Sequence, residues 1–370
     1  MVLAISILIA LVGPFLFLIL LRKLDLHKTA KFHWNIAALI FGFLAYILAV
    51  WVNRSVADAG LATRVQIVRG VAPFAEEILK SLVLIYFVTR ADFNYVVDGA
   101  LYGFGAGIGF ALIENIEYVT GRPDLALTIA VARVFSTNLV HATGSGLIGT
   151  ALGYSRGEKG RGRGALAILG GYAFAILFHA LFNTMVNAGT FLAVAIAYGV
   201  IGAGLIWYII RRGLLVQKEW VKEKLGIADR VTQEETRVVS NIETVEELLE
   251  PIKARFGAEK SSLVRNLIYK QAEIGIKRKL IDSTPSEARR REIEEIIAEL
   301  VRDINKLRNE IGSYCMMMVR EVYLGSDMQI WSLLNARIAA AGPGQKGGGL
   351  WDRVTERLRE SPPAPGESKS

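Results

Sequence analysis

The chain has 370 residues, enough for two domains, and 52% of them are hydrophobic, which suits a membrane protein with a soluble portion attached. Its single cysteine, Cys315, excludes an intramolecular disulfide framework and any cysteine-based zinc site. The net charge of +8 does not mark a nucleic-acid module: basic and acidic residues balance across positions 217–338, and the excess sits in short loops between apolar stretches.

Residues 2–21 are apolar, with no basic residue before them and Arg22-Lys23 directly after. A secretory signal has the opposite charge order and a shorter apolar core, so this stretch predicts an uncleaved span. A basic loop at 22–33 and a second span at about 34–52 follow. A longer connection, 53–70, leads to the third span, 71–90, which reads VAPFAEEILKSLVLIYFVTR. It carries Glu76, Glu77 and Lys80 inside an apolar helix, and spacings of three and four residues put both carboxylates on the lysine's face. Each such charge costs about 2.5–3.5 kcal/mol at a bilayer centre, so these residues are functional candidates.

The fourth span, about 96–119, repeats glycine at 99, 103 and 107, with Gly105 and Gly109 beside them. Small residues at this spacing let helix backbones approach closely, which predicts a central helix. No strand precedes these glycines, so they do not form a dinucleotide fingerprint. Glu114 and Tyr118 lie one turn apart near its end. A fifth span, about 130–152, contains His141; a sixth, about 165–187, contains His179 and Asn183; a seventh, about 191–210, ends at Arg211-Arg212.

Loop charge predicts the orientation. With the N-terminus outside, the cytoplasmic loops hold Arg22, Lys23, Lys28, Lys31, Arg90, Arg156, Lys159, Arg161, Arg163, Arg211 and Arg212, against Arg54, Arg64, Arg69 and Arg122 outside. Arg133 marks the outer end of the fifth span. In this layout Glu76, Glu77, Glu114, His141 and His179 all fall at roughly 7–13 Å below the outer surface, at 1.5 Å per residue.

Beyond Gln217 the chain reads as charged, amphipathic helix. Thr284-Pro285-Ser286-Glu287 has the form of a capping box with proline at the first helical position. Ile293, Ile297, Leu300, Ile304, Leu307 and Ile311 then make a short heptad seam, suited to a coiled coil or helical hairpin. Residues 341–349 read as a glycine-rich linker, 350–360 as a short amphipathic helix and 361–370 as a disordered tail. The expected fold is all-α: a polytopic membrane helix bundle of about seven spans over 1–212, a cytoplasmic helical domain over 213–340 and a flexible tail over 341–370.

Glu76, Glu77, Glu114, His141, His179 and Asn183 are the groups needed to activate water. Two imidazoles and a carboxylate make a three-ligand site with an open position, as in hydrolytic zinc; His141, His179 and Glu114 are the candidate ligands. Without metal, a glutamate–histidine pair would activate the water, and His179 and Asn183 would donate to the oxyanion. Glu114 is then a ligand or an orienting group. Each residue also has a plainer reading. Glu77–Lys80 alone is as well explained by a structural ion pair, a lone membrane histidine or Asn183 by interhelical hydrogen bonding, and Tyr118 by the interfacial aromatic belt. Five ionisable groups on four helices at one depth, however, are an expensive route to packing alone.

Glu76-Glu77-x-x-Lys80, FALIENIEY with Glu114 and Tyr118, then His141, then HALFN with His179 and Asn183 together resemble the PrsW family of intramembrane proteases. These are usually described as metalloproteases, distantly related to CAAX prenyl endopeptidases and bacteriocin-processing proteases. The resemblance covers roughly 71–187 and implies cleavage of membrane-anchored regulators such as anti-sigma factors, with Glu76, Glu77 and His179 as essential residues; zinc is the cofactor expected from the ligand set. No His-Glu-x-x-His motif is present, and the related prenyl endopeptidases are argued to use glutamate without metal. The expected protein is therefore an intramembrane endopeptidase of the cell membrane, with a membrane-anchored substrate, the lipid bilayer as its surroundings and no nucleic-acid partner. Its cytoplasmic helices suit a regulatory partner or a second copy of the chain. The rivals are an ion- or proton-coupled transporter, which usually shows inverted repeats and broken helices, and a non-catalytic scaffold.

Overall fold

A computed structural model of the chain describes residues 1–323, apart from 27, 29, 159, 190, 227–230 and 232. The linker, short helix and tail expected at 341–370 lie outside the described residues. Everything described is helix or connection, in the order α1 Val2–Arg22, α2 Phe32–Asp58, α3 Arg64–Gln66, α4 Ala72–Thr89, α5 Val96–Gly121, α6 Ala126–Phe135, α7 Thr137–Gly157, α8 Arg161–Asn187, α9 Leu192–Lys224, α10 Gln233–Ser240, α11 Val245–Ser283, α12 Glu287–Ile311 and α13 Ser313–Tyr323. This is the expected all-α polytopic bundle.

Among the described residues, six stretches are long and apolar enough to cross a bilayer: α1, α2, α5, the run Pro123–Gly157 that holds α6 and α7, α8 and α9. The remaining helix of the bundle, α4, has 18 residues and carries Glu76, Glu77 and Lys80, all buried. Those charges take it out of the purely apolar class, and their partners lie within the protein. Leu177, Ile201 and Trp51 are 67–70% exposed, as expected of side chains that face lipid rather than water.

The centre of the bundle is α5. Its apolar window is 94% buried, against 17–28% for α1, α2, α8 and α9. The cause is backbone proximity to α7 on one face and α2 on the other. A Cβ on Gly107 would lie 2.4 Å from the His141 carbonyl oxygen, and one on Gly109 2.0 Å from that of Leu39. Glycine here sets the distance between the helices.

The fifth span is not one helix. The chain breaks at Ser136 (φ −122°, ψ −85°), which separates α6 from α7. The Ser136 hydroxyl donates to the Ala132 carbonyl at 2.6 Å, the back-bonding that bends helices. Gly199 of α9 presses on the break, where a Cβ would meet the Phe135 and Ser136 carbonyl oxygens at 2.8 Å. Ahead of α4 the chain runs through a π turn, Ile67–Val71.

Beyond the apolar part of α9, helices α10 and α11 pack against its extension and each other. The seam residues Ile293, Leu300, Ile304 and Ile311 are buried, and α12 packs on α11, where Lys270 pairs with Asp303 at 2.7 Å. The helix start at 284–287 differs from the expected one. Ser286 is the N-cap, accepting from the Arg289 N–H at 3.4 Å, so Pro285 stays outside the helix. Thr284 is unavailable as a cap because its hydroxyl donates to the Leu280 carbonyl at 2.7 Å, closing α11. Lys277 of α11 is fully buried and donates to the Ala91 carbonyl, just past α4, at 2.7 Å. Arg156 of α7 donates to the Val88 carbonyl. Cations thus satisfy the free carbonyls at the end of the helix that carries the glutamates.

Candidate active site

On α4, Glu76 and Glu77 point to one polar cluster with Lys80, one turn on. Glu77 is fully buried, and its Oε1 accepts from Lys80 Nζ at 2.6 Å and from His179 Nδ1 at 2.9 Å. Lys80 Nζ also donates to His141 Nδ1 at 3.0 Å and lies 4.7 Å from the Phe110 ring centroid. On the other side of that imidazole, His141 Nε2 lies 2.7 Å from Glu114 Oε2. Glu114 is in turn held by Arg133 at 2.7 Å, whose Nε donates to Asn115 at 2.9 Å and whose guanidinium lies 3.9 Å over Tyr118. The two imidazoles meet edge to face with centroids 4.7 Å apart.

These partners assign both rings. A carboxylate only accepts, so His179 donates from Nδ1 and turns Nε2 to the other side. An ammonium only donates, so His141 accepts at Nδ1 and carries its proton on Nε2, toward Glu114. The nitrogens on the inner side of both rings, His179 Nε2 and His141 Nδ1, face Glu76 Oε2 at 3.8 and 4.0 Å. That oxygen is buried and has no hydrogen-bond partner among the described residues.

The donor set fits a metal ion. Glu76, His141 and His179 offer one oxygen and two nitrogens within 4.8 Å of one another, and the far nitrogen of each ring is anchored by a carboxylate. Such outer carboxylates fix the tautomer and orientation of ligating histidines. The carboxylate that converges with the rings is Glu76, while Glu114 lies behind His141. One feature opposes the ion: the lone pair of His141 Nδ1 already accepts from Lys80.

Of the six residues singled out from the sequence, Glu76, Glu77, Glu114, His141 and His179 form this cluster. The sixth, Asn183, donates its amide to the Val68 carbonyl in the π turn at 3.0 Å, joining α8 to the entry of α4. Arg133 is a member that sequence reasoning took for a span boundary. Its signal was present: a lone arginine two turns before a membrane histidine needs a buried carboxylate. Tyr118 stacks under that arginine instead of serving only as a belt residue. Asn138, fully buried one turn before His141, has neither amide atom hydrogen-bonded among the described residues.

Five helices thus bring three carboxylates, two imidazoles and two cations together inside an apolar bundle. No curated protein and no solved structure matches the chain. Residues 30–210 match the model of the PrsW family intramembrane metalloproteases, a range that includes every member of the cluster. With the polytopic helical fold and the buried glutamate–histidine centre, this match places residues 30–210 in the PrsW family of intramembrane proteases.

Proposed function

We propose that the cluster hydrolyses peptide bonds of membrane-anchored substrates with the help of zinc held by Glu76, His141 and His179. The observation that carries this reading is the anchoring of each imidazole at its outer nitrogen, which turns the other toward an unpaired Glu76 oxygen. Zinc bound there would polarise the scissile carbonyl and lower the pKa of water to about 7. Glu77 keeps the His179 proton on Nδ1. Glu114, steadied by Arg133, keeps the His141 proton on Nε2. Lys80 neutralises Glu77 inside the bundle, and Asn183 fixes the π turn that delivers Glu76.

One contact favours a metal-free form of the same hydrolysis. Lys80 already occupies the His141 nitrogen that zinc would take. In that form Glu76 Oε2 takes the proton of the attacking water, and His179 Nε2 lies beside it as its partner. The loop charges support an N-terminus outside and the site in the outer half of the bilayer. The helices after residue 213 then face the cytoplasm as a docking or regulatory module, and the substrates are single-span regulators.

A single-span reporter reconstituted with the protein in proteoliposomes tests the hydrolytic assignment. Wild type is expected to cut within the span and Glu76→Gln to leave it intact. Cleavage by Glu76→Gln at the wild-type rate would overturn it.

A further inference from the structure

A cavity of 540 Å³ lies between α7, α8 and α9, built from none of the residues of the glutamate–histidine cluster. Its wall changes character along the bundle axis. Leu147, Phe174 and Ile209 line one end, and Tyr154 and Arg212 the other. On α7, positions 147 and 154 are about 10 Å apart at 1.5 Å per residue, so the cavity runs along the membrane normal.

Three features say what fills it. Arg212 stands where the apolar part of α9 gives way to charge, and among the described residues it has no carboxylate within ion-pair distance. Thr150 also lines the cavity, about 6 Å deeper than Tyr154 along α7. Its hydroxyl is buried without a hydrogen-bond partner among the described residues, although a helical threonine ordinarily has the i−4 carbonyl within reach. The third feature is Gly170 on α8, where a Cβ would meet no atom within 4 Å, so the space continues up to the helix backbone. A cation at the interface, a polar atom one turn below and apolar walls beneath follow the phosphate, ester and acyl chain of a phospholipid in order.

We infer that this cavity is a binding site for one anionic phospholipid. Its phosphate sits on Arg212, the glycerol lies one turn deeper at the level of Thr150, and the upper acyl chain lies against Leu147, Phe174 and Ile209. The site selects an anionic headgroup because a zwitterionic one brings its own cation to the arginine. It stands apart from the hydrolytic reading.

The test is native mass spectrometry of the delipidated full-length protein, incubated with phosphatidylglycerol or phosphatidylcholine at equal concentration. Wild type should retain one phosphatidylglycerol with about five-fold preference over phosphatidylcholine, the effect of one basic residue at a membrane surface. Arg212→Gln should bind both alike. Gly170→Leu, which fills the cavity while placing a good helix former in α8, should retain neither. Equal retention of both lipids by wild type, or a preserved preference in Arg212→Gln, overturns the proposal. So does Gly170→Leu that binds as wild type does. If Gly170→Leu does not fold, the comparison of Arg212→Gln with wild type decides alone.

Discussion

The Nδ1 atom of His179 lies 2.9 Å from Oε1 of Glu77, and that contact turns Nε2 of the same ring toward Glu76. Glu77 also carries the Lys80 ion pair at 2.6 Å, with both side chains fully buried. Glu77→Gln therefore weakens two supports at once. Metal affinity should fall about 10–100-fold, the usual loss when an outer partner of a ligating histidine is removed. A zinc competition titration beside a cleavage assay checks this, and an unchanged zinc affinity would contradict the orienting role of Glu77.

Arg133 should prove as important as its distance from the histidines makes unexpected. It holds Glu114 at 2.7 Å and Asn115 at 2.9 Å while stacking on Tyr118. Arg133→Ala leaves Glu114 without its cation and should cut hydrolysis by about ten-fold, with membrane insertion retained. Arg133→Lys keeps the charge but loses the planar fork, so its activity should fall between the two. Cleavage rates for the three proteins, at equal expression in the membrane, give the order.

Two glycines separate architecture from chemistry. In Gly107→Ala the new Cβ would sit 2.4 Å from the His141 carbonyl oxygen, and α5 and α7 would have to part. Thermal unfolding should show a stability loss of about 1–3 kcal/mol or more. In Gly144→Ala the nearest atom is Oε2 of Glu77 at 2.9 Å, a side chain that can shift. That variant should lose activity at a smaller stability cost than Gly107→Ala.

Lys277 supplies a pH dependence far from the site. Burial pushes its ammonium down to about 8, against an ordinary value near 10.4. The groups that bear on it are Glu273 of α11, Arg156 of α7, Asp98 of α5 and Asp92 of the α4–α5 loop. A base with a lowered folded pKa binds fewer protons folded than unfolded between those two values. The cost of burying its charge is therefore constant below pH 8 and disappears as pH rises from 8 toward 10.4, a change of about 3 kcal/mol. Thermal unfolding of wild type, measured against Lys277→Met, should show wild type gaining stability relative to the variant across that window. A constant difference would show that the buried lysine does not titrate there.

Much of the bundle is readable in one dimension, because long apolar runs and four-residue glycine spacing are properties of single helices. Residues 71–90 read as a polar-faced span, and the glycines of 96–119 as a central helix, for that reason. The seam from Ile293 to Ile311 was equally plain, and its partner proved to be α11 of the same chain. What the sequence conceals depends on how helices face one another. Spacing puts Glu76 and Glu77 on one turn, but only the positions of α5, α7 and α8 turn one toward His179 Nδ1 and leave the other unpaired. The break at Ser136 depends on its hydroxyl bonding backward and on Gly199 of a distant helix. Asn183 reaches a carbonyl in a π turn that no residue pattern announces. Thr284 and Ser286 are equally good caps by composition, and the bond from Thr284 to Leu280 chooses between them.

The central claim is that Glu76, His141 and His179 hold a zinc ion, and metal analysis of purified protein tests it most directly. Wild type should carry about one zinc per chain, and both Glu76→Gln and the His141→Ala, His179→Ala double variant should carry none. Metal-free wild type that cleaves its substrate in the presence of a chelator would contradict it, and would leave Glu76 and His179 to activate the water unaided.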